Sequence, residues 1–237
     1  MTTESSYPSK LVAELDSTSR WLWLVKWILV IPHVVVLFLL WIATTILTIV
    51  AGFAILFTGR YPRRIFDFNV GVFRWTWRVE YYAIGAFGTD KYPPFSLRPD
   101  PAYPADFHVE YPETLSRRLV LIKWWLLALP HYIVVAFFAG GLGIGWTGGW
   151  RIASGCGLIG VLAIVAAVIH MFAGQYPRTI FDFIMGMQRW CYRVLTYSAL
   201  MCDEYPPFRL DNGGQEPDAT PPRDWTVGPR PVPVGTT

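Results

Sequence analysis

Apolar residues gather into two long blocks along this chain, and the charges gather between them. From Trp21 to Phe57 the only charged residue is Lys26, and no Asp or Glu occurs between Asp16 and Asp67 or between Glu113 and Asp182. A membrane-crossing helix needs about 20 apolar residues, so the first block is long for one span and slightly short for two. The second block, Leu119 to Phe172, is broken by the glycines of Gly140–Gly149 and then Arg151. Glycine density of that kind marks a turn and predicts spans at about 119–139 and 152–173. By analogy the first block predicts spans at about 21–41 and 44–58, turning around Ala43-Thr44-Thr45. If both hairpins open on one side, 19 of the 20 Lys and Arg lie there and only Arg151 lies opposite. The positive-inside tendency makes that side cytoplasmic. The expectation is an all-α integral protein of the cytoplasmic (inner) membrane, multi-pass, with both termini cytoplasmic. The alternative topology is a pair of re-entrant hairpins dipping in from the cytoplasmic leaflet.

The two blocks belong to an internal duplication, which has to be settled before the fold. Phe57–Tyr82 and Phe172–Tyr197 match at a constant offset of 115, with fifteen of 26 positions identical. Ser19-Arg20-x-Leu22-x-Leu24-x-Lys26-Trp27 returns as Ser116-Arg117-x-Leu119-x-Leu121-x-Lys123-Trp124, and after a one-residue slip Pro32-His33 returns as Pro130-His131. Tyr92-Pro93-Pro94-Phe95 returns as Tyr205-Pro206-Pro207-Phe208, and Tyr7-Pro8 as Tyr103-Pro104. The organisation read from this is a lead at 1–6, repeat one at 7–97, a linker at 98–102, repeat two at 103–210 and a tail at 211–237. The tail's prolines and glycines with little to bury predict disorder.

After each block a helix is expected, at about 63–84 and 178–200. On a helical wheel Arg63, Asp67, Gly71, Arg74 and Arg78 share one stripe, as do Arg178, Asp182, Gly186, Arg189 and Arg193. Nearly everything else there is aromatic or aliphatic, which suits an amphipathic helix lying in the cytoplasmic headgroup layer or packed under the bundle. The Tyr-Pro-Pro-Phe segments predict extended turns. Short cytoplasmic strands are expected among Leu11–Glu14, Phe107–Glu110, Phe95–Arg98 and Phe208–Leu210.

These repeated motifs, SRxLxLxKW…PH, YPRxIFDFxxGxxRWxxRVxxY and DxYPPF, resemble a bacterial membrane family known as a domain of unknown function, DUF 4389, across both copies. The resemblance implies a membrane-embedded fold and supplies no activity. Copy two departs from the pattern at Gln175, Thr179 and Gln188.

Composition agrees with the membrane reading: 53% hydrophobic residues, mean hydropathy +0.35 and 12 Trp, with a net charge of only +3. The first 20 residues carry Glu4, Glu14 and Asp16 and show no removable signal sequence. Cys156, Cys191 and Cys202 form neither a disulfide frame nor a metal spacing and read as small buried hydrophobes.

Three polar sets stand out. Arg63, Arg74, Arg78, Arg178, Arg189 and Arg193 are candidates for phospholipid headgroups, since Arg suits bidentate phosphate contact. The plainer reading is that Asp67 and Asp182 form structural ion pairs and the other arginines pin helix to bundle through main-chain carbonyls. His33 and His131 follow mid-span prolines, where ionisable groups are often functional; a proton relay or half a metal site is weighed there against a hydrogen-bonded neutral His. Lys26 and Lys123 are expected to snorkel, and Asp90 and Asp203 to act as turn acids. No catalytic triad, phosphate-cradling loop or metal set is visible, so no cofactor, metal or nucleic-acid partner is expected. The function expected is a non-enzymatic accessory or stabilising subunit of a larger envelope or lipid-transport membrane complex, with the bilayer and its anionic lipids as further partners. The alternative is a small transporter or lipid-handling protein with a path between the repeats.

Overall fold

A computed structural model describes residues 7–16, 18–83, 85–140 and 157–211. The chain is mostly helical: strand β1 (Ser9–Ala13), helices α1 (Trp23–Leu29), α2 (Ile31–Thr58) and α3 (Arg63–Ala83), strand β2 (Ala105–Val109), then α4 (Leu119–Ile122), a π-helical turn (Lys123–Leu127), α5 (Leu129–Ala139), α6 (Leu158–Ala173) and α7 (Arg178–Ser198).

The first apolar block is one helix where a hairpin was expected. Ile31–Thr58 runs unbroken through Ala43-Thr44-Thr45, about 42 Å at 1.5 Å per residue. Those three residues hold neither Gly nor Pro. Thr44 is buried, and the Thr45 hydroxyl bonds back to the Trp41 carbonyl at 2.9 Å, a local bond the helix tolerates. The break falls instead at Val30, where Pro32 suits the first turn of the new helix. Gly59, with φ +74°, closes the helix in the left-handed region.

Copy two follows the same path with an insertion. By the upstream offset of 98, Ala139 corresponds to Trp41; by the downstream offset of 115, Leu158 corresponds to Ala43. Gly140 and Gly157 lie against each other, for a Cβ on Gly157 would sit 2.2 Å from the Gly140 nitrogen. Helix α5 starts beside the end of α7, where the Tyr132 hydroxyl donates to Ser198 Oγ at 3.0 Å. Helix α6 ends four residues before α7 begins. Together α5 and α6 therefore track α7 from end to end as α2 tracks α3. The segments expected as two spans at 119–139 and 152–173 hold α5 and α6, both of which pack on α7. Residues 141–156, with most of those glycines and Arg151, lie outside the described residues. The one-residue slip between Lys123 and Pro130 is absorbed by the π-helical turn, the usual backbone response to one extra residue. A bend of 46° follows at Ala128.

Helices α3 and α7 form the middle layer. The β1–β2 ribbon and the chain's long apolar helices each pack on them and make little contact with each other. The expected positions of these two helices hold, at Arg63–Ala83 and Arg178–Ser198, but neither lies on a surface: from Asn69 to Val79 every residue of α3 is buried. Phe73, Trp77 and Phe107 are fully enclosed, each worth roughly 1.5–3 kcal/mol of apolar burial. Gly71 is needed because Leu97 crosses α3 there; an added Cβ would lie 2.8 Å from the Leu97 Cβ.

Two of the four expected strands form. They pair antiparallel, with Leu11 opposite Phe107 and Ala13 opposite Ala105, and alternate buried and outward residues. The segments Phe95–Arg98 and Phe208–Leu210 are not strands. Beyond Asp211 the tail is outside the described residues. The strands are exchanged between copies: β1, from copy one, packs on α7 of copy two, and β2, from copy two, packs on α3 of copy one.

Candidate functional site

Polar side chains sit in three clusters, and each occurs once per copy. The first surrounds the histidines. Trp75 Nε1 donates to His33 Nδ1 at 3.1 Å, and Trp190 Nε1 donates to His131 Nδ1 at 3.1 Å. An Nδ1 that accepts carries no hydrogen, so the neutral ring holds its proton on Nε2. His33 stacks on Phe95 with ring centroids 4.0 Å apart, and Tyr92 lies at 4.8 Å. His131 stacks on Phe208 at 4.3 Å, with Tyr205 at 4.8 Å. Each Tyr-Pro-Pro-Phe turn is thus a lid over a histidine of its own copy. Each imidazole is enclosed by aromatic rings of its own copy. Among the described residues no three His, Cys, Asp or Glu side chains lie close enough to hold a metal.

The second cluster holds the lysines. Lys26 Nζ donates to the Thr89 carbonyl at 2.7 Å and pairs with Asp90 at 2.9 Å. Lys123 Nζ donates to the Cys202 carbonyl at 2.5 Å and pairs with Asp203 at 2.9 Å. The second carboxylate oxygen of each Asp accepts from a backbone amide, Ser19 N at 2.5 Å or Ser116 N at 2.6 Å. These lysines do not snorkel: both are at most 1% exposed. Each Asp locks the start of its copy's apolar block to the end of its middle helix.

The third cluster is the arginine stripe, and it splits in two. Arg74 Nε donates to the Phe107 carbonyl at 2.9 Å, and its Nη1 to the Leu97 carbonyl at 3.0 Å. Arg78 Nη1 donates to the Arg98 carbonyl at 3.1 Å. Asp106 pairs with both, at 2.9 Å to Arg74 and 3.2 Å to Arg78. In copy two, Arg189 Nε donates to the Leu11 carbonyl at 3.2 Å and Nη1 to the Asp211 carbonyl at 2.5 Å, while Arg193 pairs with the Asp211 carboxylate at 2.5 Å. Leu11 and Phe107 are matching positions on opposite strands, so each middle helix holds the other copy's strand. Tyr103 repeats the exchange, its hydroxyl donating to the Arg78 carbonyl at 3.3 Å, as Tyr7 does to Arg193 at 3.5 Å. These four buried arginines face main-chain carbonyls and carboxylates inside the protein. Only Arg63 and Arg178 remain exposed. Arg63 pairs with Asp67 at 3.4 Å and lies over the Tyr111 ring at 4.4 Å; Asp182 is half-buried.

Between the copies, Trp77 meets Tyr192 edge-on at 5.6 Å, and the Tyr192 hydroxyl donates to Glu80 Oε2 at 2.9 Å. Burial pushes the Glu80 carboxyl up to about 7, against the lowering effect of that bond. Burial also pushes the Cys191 thiol up to about 12 and raises Cys202, so neither is a ready thiolate. Cys156 lies outside the described residues. His170 is buried and bonds the Thr18 carbonyl at 3.0 Å, while His108 sits on the outward face of β2. A groove of about 280 Å³ opens beside the ribbon, lined by Glu14, Asp16, Lys91, Tyr103 and Asp106 among others.

The sequence marks the lysines, histidines, Asp90 and Asp203 of these clusters but does not join Lys26 to Asp90 or His33 to Phe95. Their joint recurrence in both copies was the available signal. Asp106 and Asp211 gave none, because their counterparts are Lys10 and Arg98.

No curated protein and no solved structure matches the chain. A family model described as a domain of unknown function (DUF4389) matches residues 20–96 and 154–209, one segment in each copy and together more than half the chain. The second match leaves out Leu119–Ala139 as well as the Gly140–Gly149 run. The first segment carries His33, Lys26, Asp90, Arg74 and Arg78 and the second Arg189, Arg193 and Asp203, and on these two matches the chain belongs to the DUF4389 family.

Proposed function

We propose that this is a non-enzymatic subunit embedded in the membrane by its apolar layer, serving to dock onto and stabilise a larger membrane assembly. The observation that carries the reading is the outer surface of the long helices. Ile31, Leu39, Ile46, Phe53 and Phe57 on α2, and Trp125, Ile133, Phe137, Val165 and Phe172 in copy two, are all more than 40% exposed. Ile31–Thr58 is long and apolar enough to cross a membrane, and the bent pair Leu119–Leu127 with Leu129–Ala139 passes the same test as one unit. Soluble monomers rarely expose contiguous apolar patches beyond a few hundred Å², so lipid or a partner subunit covers this one.

The start of α1, which leads into α2, and the turn after α2 are both tied to segments that flank the ribbon. Asp16, just past β1, bonds the Gly88 carbonyl at 3.0 Å near the Lys26–Asp90 pair. Tyr111, just past β2, bonds the Tyr61 carbonyl at 2.5 Å. With α2 unbroken, this favours a helix lying along one face of the bilayer with both ends on one aqueous side, the cytoplasmic side by its arginines, in place of a hairpin that turns within it. The histidine and lysine clusters tie elements within each copy and the arginine cluster joins copy to copy and strand to helix, a stabilising role and not a transforming one. Purification of the full chain in a gentle detergent tests the reading. The expected result is stoichiometric co-purification of other membrane proteins; a monodisperse preparation of this polypeptide alone would overturn it.

A further inference from the structure

The exposed arginines are not distributed evenly between the two copies. Where copy one's long helix turns into α3, the Leu115 amide donates to the Gly59 carbonyl at 2.9 Å and joins that turn to the start of copy two. The Arg117 guanidinium lies against Gly59, its Nε 3.4 Å from where a Cβ would stand. This corner gathers Arg60, Arg63, Arg64, Arg117 and Arg118, all exposed. The acids near them in the chain are Asp67, already paired with Arg63, and Glu113, while Asp203, on the Ser116 amide, is neutralised by Lys123, so five guanidinium groups face two carboxylates. The positive end of α3 points the same way and does not offset the charge. At the matching corner of copy two Arg20 lies against Gly174 as Arg117 lies against Gly59, but the other positions read Gln175, Arg178, Thr179 and Trp21. Two arginines stand there in place of five.

Phe57, 74% exposed, and Leu121, 58% exposed, stand within one turn of these arginines on the apolar surface. Cationic forks at the edge of an apolar face match a lipid whose phosphate sits at the headgroup level and whose chains run along the face. We infer that the Arg60–Arg64/Arg117–Arg118 corner binds the phosphodiester headgroup of an anionic glycerophospholipid, and that the corner at Gly174 does not. The inference rests on the membrane reading above.

The test is native mass spectrometry of the full chain in detergent, with added dioleoyl-phosphatidylglycerol or dioleoyl-phosphatidylcholine, and inorganic phosphate as competitor. Arg60→Gln with Arg64→Thr installs residues that copy two already carries at these positions, so the helix turn is kept. The wild type is expected to retain one phosphatidylglycerol in preference to phosphatidylcholine. The double variant should lose roughly thirtyfold of that preference, Arg20→Gln should keep it, and inorganic phosphate should not displace the lipid. Unchanged preference in the double variant, equal loss in Arg20→Gln, or displacement by phosphate would each overturn the assignment. Fractionation of cells separates the two failures: wild-type protein in the soluble fraction sinks the membrane reading, whereas membrane-bound protein without a lipid preference sinks only the corner.

Discussion

Asp106 is the residue on which the exchange between copies most depends, and its removal gives a quantitative test. One carboxylate, 15% exposed, serves Arg74 and Arg78, which are 7% and 0% exposed. In Asp106→Ala both guanidinium groups stay buried and lose their counter-charge. Removing one partner of a buried pair typically costs about 3–5 kcal/mol. Carbonyls of Phe107, Leu97 and Arg98 still receive both arginines, and water reaches the edge of the site, so the low end applies, about 3 kcal/mol. For a chain of this size that is roughly 6–12 °C in Tm. Asp67→Ala is the control, because Arg63 and Asp67 are 65% and 61% exposed and such pairs contribute about 0–1 kcal/mol. Thermal unfolding in one detergent, followed by Trp fluorescence, measures both. Asp106→Ala falling within about 1 kcal/mol of Asp67→Ala would refute the account of the stripe as an internal tie.

Asp90→Asn should destabilise more than Lys26→Met, because the first leaves a buried ammonium without its counter-charge while the second leaves a carboxylate that is 26% exposed; equal effects in denaturant titration would count against the clamp. Glu80 sets a pH dependence: its carboxyl holds a proton up to about 7 when folded and releases it near 4.5 when unfolded. The folded state thus binds more protons in that window, so Glu80's contribution to stability falls as pH rises from about 4.5 to about 7 and is level above. Glu80→Gln should remove that slope, and a stability profile identical to wild type would contradict the burial argument.

Much of this fold could be read from local patterns. The 21-residue middle helices announced themselves through Tyr-Pro at the start and a long aromatic-rich period, and two of the four expected strand segments, Leu11–Glu14 and Phe107–Glu110, overlap β1 and β2. The hairpin expected in copy one did not hold, because its turn was carried over from the glycine run of copy two, whereas Ala43-Thr44-Thr45 holds neither Gly nor Pro and continues the helix. The arginine stripe was legible as a stripe, but its direction was not. Whether guanidinium groups face headgroups or a neighbouring strand depends on what packs against them, and that strand comes from the other copy, more than 30 residues away for Arg74 and more than 170 for Arg189. Lys26 looked like a snorkelling residue because its partner, Asp90, lies 64 positions on.

The central claim is that the long apolar helices lie in the bilayer while both ends of α2 return to one aqueous side. In a background with Cys156, Cys191 and Cys202 changed to Ser, Arg20→Cys and Arg64→Cys can be labelled with a membrane-impermeant maleimide, on intact spheroplasts and on inverted vesicles. The account predicts that both positions react only in inverted vesicles; one reacting from each side would contradict it.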